Sequence, residues 1–150
     1  MSLTEASTAV HLGSSEQPWV TLRDGSQLRV LQVRPKEGLW IIESKFFAGL
    51  TLATHRHTGP VWGYTVSGAW KYLESDFVNT AGSFLYEPAG SVHTLTCLED
   101  DTQVWFHMYG VNLNLDADGK VEDVVDGANT LALYLKLCER QNAGAPTLID

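Results

Sequence analysis

Gly49-LTLAT-His55-Arg56-His57-TGP-Val61-WGYTVS-Gly68 decides how this chain is read, and Gly82-SFLYE-Pro88-Ala89-Gly90-SV-His93-TLT-Cys97 answers it further along. In the first stretch, His55 and His57 flank a single residue. Side chains two apart in a strand share a face about 7 Å apart at the Cα atoms, close enough to converge on one metal ion. Arg56, between them, then points to the opposite face, which suits a surface or interface role. In the second stretch, Gly90 permits a tight corner before Val92 and His93 open a new β run. A closed sheet would carry His93 opposite the first pair. Three imidazoles on one site offer a facial set of neutral ligands, of a kind that Zn, Fe, Cu and Ni all accept.

Outward from these stretches, Gly and Pro punctuate the chain at short intervals, and the segments between are rich in Val, Leu, Thr, Trp, Tyr and Phe. That pattern predicts an all-β sandwich or barrel. Trp19–Arg23 and Gln27–Arg34 flank Asp24-Gly25, a hairpin turn in which Gly supplies the positive φ. Pro35–Gly38 breaks the chain. Strands are then predicted over Leu39–Phe47, Gly49–His57, Trp62–Ser67, Ala69–Leu73, Gly82–Glu87, Val92–Leu98, Gln103–Tyr109, Val111–Leu115 and Lys120–Val125. Asp116-Ala117-Asp118-Gly119 has the alternating acids of a calcium loop, but lacks the further ligands and flanking helices, so it reads as a hairpin turn. Leu131, Tyr134, Leu135 and Cys138 fall at helical spacing, which predicts one C-terminal helix over Asn129–Gln141, capped by Asn129 or Thr130, with Gly144 beyond its end. Residues 1–18 carry little periodicity and are expected to form an arm that docks on the barrel or on a partner subunit, leaving 19–150 as a single domain.

Composition excludes several classes. Hydrophobic residues at 44% and charged residues at 19% of 150 belong to a globular chain, not a disordered one. Ten Lys and Arg against 18 Asp and Glu give a net charge of −8, which repels phosphate backbones and anionic lipid, so neither nucleic acid nor membrane is an expected partner. No run of about 20 apolar residues is present to span a bilayer, and the N-terminal residues are not expected to act as a signal peptide. Two cysteines, Cys97 and Cys138, are too few for a disulfide scaffold. With them the expected location is cytoplasmic and both thiols are expected free and buried. There is no phosphate-cradling Gly-rich loop, no Gly-x-Ser-x-Gly elbow and no Cys-x-x-Cys pair.

The two quoted stretches resemble the paired motifs of the cupin superfamily. The first motif runs Gly, five residues, His-x-His, three or four residues, Glu, six residues, Gly; the second runs Gly, five residues, Pro-x-Gly, two residues, His, three residues, Asn. Both spacings match here, with two departures: Val61 stands where the usual Glu ligand would be, and Cys97 where Asn is common. The resemblance implies a jelly-roll β-barrel with the C-terminal helix appended, and a metal held by His55, His57 and His93. Within the superfamily, His55-Arg56-His57-Thr58-Gly59-Pro60, Gly68-Ala69-Trp70-Lys71-Tyr72-Leu73-Glu74 and Glu87-Pro88-Ala89-Gly90 look like the 2,4'-dihydroxyacetophenone dioxygenases. They are more distantly similar to the acetylacetone dioxygenases, which share a three-His site. That likeness implies iron(II), dioxygen as co-substrate, and cleavage of a carbon–carbon bond beside the carbonyl of an aryl α-hydroxyketone or β-diketone. An enolised ketone of this type is a bidentate oxygen anion, and would suit a dication left uncompensated by three neutral imidazoles. Two other readings stand beside it: a sensor-type cupin that binds metal or ligand without turnover, and a zinc or nickel cupin acting as isomerase or hydrolase.

Glu74 follows Trp70 and Tyr72 at strand period, and is a candidate base for enolisation or partner to a ligand. Glu87 is a candidate to hydrogen-bond a ligating imidazole. His107 faces the pocket or the outside according to strand register. Cys97 has no free base beside it and reads as a buried thiol. Exposed sheet edges and the arm predict a homodimer or larger assembly.

Overall fold

The computed structural model describes residues 7–150. Thirteen strands are present among them: β1 (Val20–Thr21), β2 (Gln27–Arg34), β3 (Leu39–Phe46), β4 (His55–His57), β5 (Val61–Ser67), β6 (Ala69–Tyr72), β7 (Asn79–Thr80), β8 (Phe84–Glu87), β9 (Val92–His93), β10 (Leu95–Cys97), β11 (Thr102–Tyr109), β12 (Asn112–Leu115) and β13 (Val121–Val125). They are followed by one helix, α1 (Gly127–Arg140). The fold is the predicted cupin-like jelly roll with a C-terminal helix. Its antiparallel ladders remain in three sheets, ordered β1-β2-β3-β11-β5-β8, β10-β6-β7 and β13-β12-β4-β9, and do not close into one barrel. No helix among the described residues is long and apolar enough to cross a membrane.

Two predicted strands turn out to be shared between sheets. Of Gly49–His57, only His55–His57 is a regular strand; the preceding part lies against β10, where Leu52 N–H donates to the Leu95 carbonyl and Cys97 N–H to that of Leu50. At Thr54 the chain leaves that neighbour, and β4 pairs with β12 and β9 instead. Val92–Leu98 divides in the same way at Thr94, into β9 beside β4 and β10 beside β6. The two crossing residues meet, with Thr54 Oγ1 and Thr94 Oγ1 2.6 Å apart.

The core lies between the sheets. In β11 the alternation is clean: Thr102, Val104, Phe106 and Met108 are buried, while Gln103, Trp105, His107 and Tyr109 face the other way. Trp40 and Trp70 are fully enclosed, each with its indole N–H satisfied, by the Gly110 carbonyl and by Thr65 Oγ1. Burying a side chain of Phe size stabilises by roughly 1.5–3 kcal/mol, so these inward rows dominate the stability of the sheets. Helix α1 packs Thr130, Tyr134 and Cys138 against β1, β2 and β3. Its N-cap is Asp126, not Asn129 or Thr130: Asp126 accepts from Asn129 N–H, and the Asn129 side chain accepts from Asp126 N–H, a reciprocal pair that starts the helix earlier than its apolar spacing does. Asn142, with φ +51°, turns the chain just past the helix, and Gly144, with φ +110°, follows beyond its end as expected.

The predicted hairpins are present. Asp24 Oδ1 accepts from both the N–H and the hydroxyl of Ser26 between β1 and β2, and Asp116 Oδ1 accepts from Asp118 and Lys120 N–H between β12 and β13. Both cysteines are buried and free. Residues 1–6 of the expected arm lie outside the described residues. Further along it, Gln17 is buried; it donates to the Val30 and Thr147 carbonyls and accepts from Thr147 N–H. Beneath it, Arg29 Nε and Nη2 both reach Glu43 Oε2 at 2.6 Å, Gln103 donates to Glu43 Oε1, and the Trp19 ring covers Arg29.

Candidate metal centre

The period of the strand places His55 and His57 on one face of β4 with Arg56 exposed on the other, as its position between them predicted. Because β9 runs antiparallel to β4 in a register that pairs His55 with His93, the third imidazole is delivered directly across the ladder. The three ring centroids form a nearly equilateral triangle, with sides of 4.8, 4.9 and 4.9 Å. Their ligand atoms all lie within 4.8 Å of one another, and His57 Nε2 and His93 Nε2 are only 2.9 Å apart. His55 Nδ1 sits 2.9 Å from the Ala53 carbonyl, which fixes that nitrogen as the N–H and leaves Nε2 with its lone pair.

The electrostatics favour the neutral form of His55 and His93. Burial lowers the His93 pKa to about 3, reinforced by repulsion from His55 and His57 and opposed by the charge of Glu74. His55 is lowered for the same first reason, against the raising effect of its bond to Ala53. Metal ligation requires this deprotonated form.

Of the two predicted carboxylates, the structure brings one into the cluster and leaves one outside. Glu87, at the end of edge strand β8, is 3% exposed. Its Oε2 is 3.0 Å from His57 Nε2, its Oε1 is 3.5 Å from His93 Nε2, and Oε1 accepts the hydroxyl proton of Tyr72. Glu74 is exposed because β6 ends at Tyr72 and a turn carries the next two residues outward, which breaks the period that linked it to Trp70. Its carboxylate accepts from the N–H and hydroxyl of Thr94, the neighbour of His93. Burial opposes the charged form of Glu74, but those Thr94 bonds outweigh it and hold the carboxyl below its ordinary range.

His107 lies on the outer face of β11, against Trp62 and Tyr109, and takes no part in the cluster. In the sequence Tyr72 stands out only by its strand period with Trp70. It stacks on His93 with centroids 3.9 Å apart and planes 13° from parallel, besides holding Glu87. Its signal was the shared period with buried Trp70; nothing local announced its partner.

A cavity of about 410 Å³ is lined by His55, His57, Tyr72 and Glu87 together with apolar side chains that include Trp40, Ile42, Phe46, Phe106 and Met108. Asn112 and Asn114 also line it, carried there by the pairing of β12 with β4. Their position depends on that long-range register, which no local stretch of sequence signals. Three imidazoles and a buried carboxylate oxygen that has no hydrogen-bond partner fit a divalent transition metal, and such a cluster could hold one ion.

Solved structures with the same fold come from several organisms. An RmlC-like cupin protein from Ralstonia eutropha JMP134 is 29% identical over 97% of this chain and 96% of its own, with a TM-score of 0.86. A protein of unknown function with a cupin-like fold from the same organism is 30% identical over 98% and 94%, with a TM-score of 0.88. An acetylacetone dioxygenase from Acinetobacter johnsonii, 20% identical, covers 88% of this chain and 93% of its own with a TM-score of 0.77. No curated protein matches the sequence. The family described as the ChrR cupin-like domain matches residues 7–112, which include the whole histidine cluster, Tyr72 and Glu87, and the chain therefore belongs to that cupin family.

Proposed function

We propose that this chain is a non-haem iron(II) dioxygenase that cleaves the carbon–carbon bond next to the carbonyl of an aryl α-hydroxyketone or β-diketone, with His55, His57 and His93 as the metal ligands. The observation that carries the reading is the triangle of imidazoles opening on a largely apolar cavity large enough for a small ketone. The likeness in fold to an acetylacetone dioxygenase supports it. Iron(II) bound there would supply Lewis acidity toward an enolised ketone and the redox partner that dioxygen needs. The protein does the rest. Trp40, Ile42, Phe46, Phe106 and Met108 pack the apolar part of the substrate and exclude water. Glu87 lies beside His57 and His93, and Tyr72 fixes its orientation. Glu74 acts at a distance, holding Thr94 and through it the backbone beside His93.

The test is anaerobic loading with iron(II), followed by oxygen-electrode assays on a panel of α-hydroxyketones and β-diketones with His93→Ala as control. Oxygen uptake that requires iron, ketone and His93 supports the reading; tight metal binding with no uptake on any ketone overturns it. The match to the ChrR cupin-like domain favours a second reading, a metal-binding cupin in which a ligand shifts a conformation without turnover. Substrate conversion without oxygen consumption would instead mark a zinc or nickel isomerase or hydrolase.

We further read the chain as a cytoplasmic homodimer or larger assembly. The two buried free thiols suit a reducing compartment. Tyr64, Phe84, Tyr86 and Trp105 lie exposed side by side across β11, β5 and β8, a face that a second copy would cover.

A further inference from the structure

We infer that Glu87 is itself a protein ligand to the metal ion, binding through Oε2 and completing a three-His, one-carboxylate set; this rests on reading the three imidazoles as a metal site. The first argument is spacing. Atoms bound to one transition metal at 2.0–2.2 Å are about 3.0 Å apart when they subtend a right angle and about 3.4 Å apart in a tetrahedron. His57 Nε2 to His93 Nε2 is 2.9 Å, His57 Nε2 to Glu87 Oε2 is 3.0 Å, and His93 Nε2 to Glu87 Oε1 is 3.5 Å. The carboxylate therefore stands among the imidazole nitrogens, with Oε2 at ligand spacing from His57 Nε2 and Oε1 on the side of His93. It does not stand behind a ring, where a group that merely orients a ligand would accept from the nitrogen turned away from the metal.

The second argument is satisfaction. Glu87 is almost wholly buried, and its two oxygens differ in what they meet. Oε1 accepts from Tyr72, whereas Oε2 has no hydrogen-bond partner. Among the described residues no Lys or Arg lines the cavity. A carboxylate withdrawn from water needs a cation or a full set of donors, and the group beside Oε2 is His57 Nε2, a nitrogen that a metal would occupy.

The third argument is preorganisation. Glu87 ends β8 directly opposite Val61 on β5, and Pro88 follows it. Its other oxygen is held by a phenol whose ring is stacked on His93. The side chain is thus fixed in place by the same residue that packs against one of the proposed ligands. Charge follows the same logic: one carboxylate reduces the charge of a buried dication from two to one, which three imidazoles alone do not do.

The test uses cobalt(II) as a spectroscopic probe on the whole chain, comparing wild type with Glu87→Leu and Glu87→Gln and reading both the Kd and the visible ligand-field bands. The expected result is one ion per chain in all three proteins, a Kd at least tenfold higher in the Leu variant, and bands of altered energy and intensity. Unchanged bands overturn the assignment even where affinity falls, because loss of an orienting hydrogen bond also weakens binding while leaving the coordination set intact. The Gln variant, which keeps the shape of the side chain, carries the same readout where the Leu variant fails to fold. Failure of the wild type to bind cobalt(II) stoichiometrically, or its retention by His93→Ala, would instead overturn the three-His reading on which the assignment stands.

Discussion

Gly59→Ala puts the corner between β4 and β5 to a quantitative test. A Cβ at Gly59 would lie 2.2 Å from the Tyr109 carbonyl oxygen and 2.7 Å from its carbon, where real contacts essentially never fall below 3.0 Å. The oxygen alone demands a shift of about 0.8 Å, the difference between 3.0 and 2.2 Å, and both parties are backbone, so no side chain can rotate away. The hydrogen bonds that join the two segments would stretch: Tyr109 N–H to the Pro60 carbonyl, Thr58 N–H to the Val111 carbonyl and Val111 N–H to Thr58 Oγ1. Losing two of these at about 1 kcal/mol each, with about 1 kcal/mol or more for overpacking, gives a loss of about 3 kcal/mol. In a domain of this size that lowers Tm by about 6–12 °C. Because His57 precedes the corner by two residues, metal affinity should fall as well. Gly63→Ala is the control: it is also buried, but its Cβ would meet Leu85 and Phe106 at 3.6 Å, an ordinary contact, so its Tm should move by less than about 3 °C. Calorimetry of both variants decides the matter, and equal melting temperatures would refute the reasoning.

Three other outcomes are expected. Arg29→Met strands the buried Glu43 carboxylate with Gln103 alone and should cost about 3–5 kcal/mol in urea denaturation, whereas Arg29→Met with Glu43→Leu should recover most of it; a double variant no better than the single one contradicts the pairing. The metal-free protein should lose stability as pH falls from 6.5 toward 3. Over that window the unfolded chain binds a proton that folded His93 does not, so stability declines by about 1.4 kcal/mol per pH unit, and a His93→Asn variant should show a shallower slope; identical slopes count against the buried neutral ring. Finally, sedimentation equilibrium at micromolar concentration should give at least twice the 16.5 kDa of the chain, with Phe84→Glu shifting it toward the monomer; a wild-type monomer removes the proposed assembly.

What could be read from the sequence was local. The His-x-His spacing gave two side chains on one face because a strand of any length enforces that, and the matched motifs supplied His93. Glu74 and Glu87 show where local reading stops. Both lie near strand ends, but β6 terminates at Tyr72 and turns Glu74 outward, while in β8 Leu85 and Glu87 share the inward face. Periodicity projected through a strand end has no physical basis, and where a strand ends is set by its neighbours. The same holds for Thr54 and Thr94, which look like ordinary strand interior and are places where the chain changes sheets. Tyr72 and the two cavity asparagines owe their roles to cross-strand register, which a single sequence does not encode in any one window.

The hydroxyl contact between Thr54 and Thr94 bears on how this architecture tolerates change. Two segments far apart in sequence are clamped at one point, each immediately before or beside a histidine of the cluster, so their mutual placement is fixed by a short-range bond and not by the length of chain between them. Distant connections such as the exposed Asp116–Gly119 hairpin can then lengthen at little entropic cost without altering the spacing of the imidazoles. Insertions and deletions should accumulate there, and the chemistry of the centre is free to stay constant while the outline of the molecule drifts.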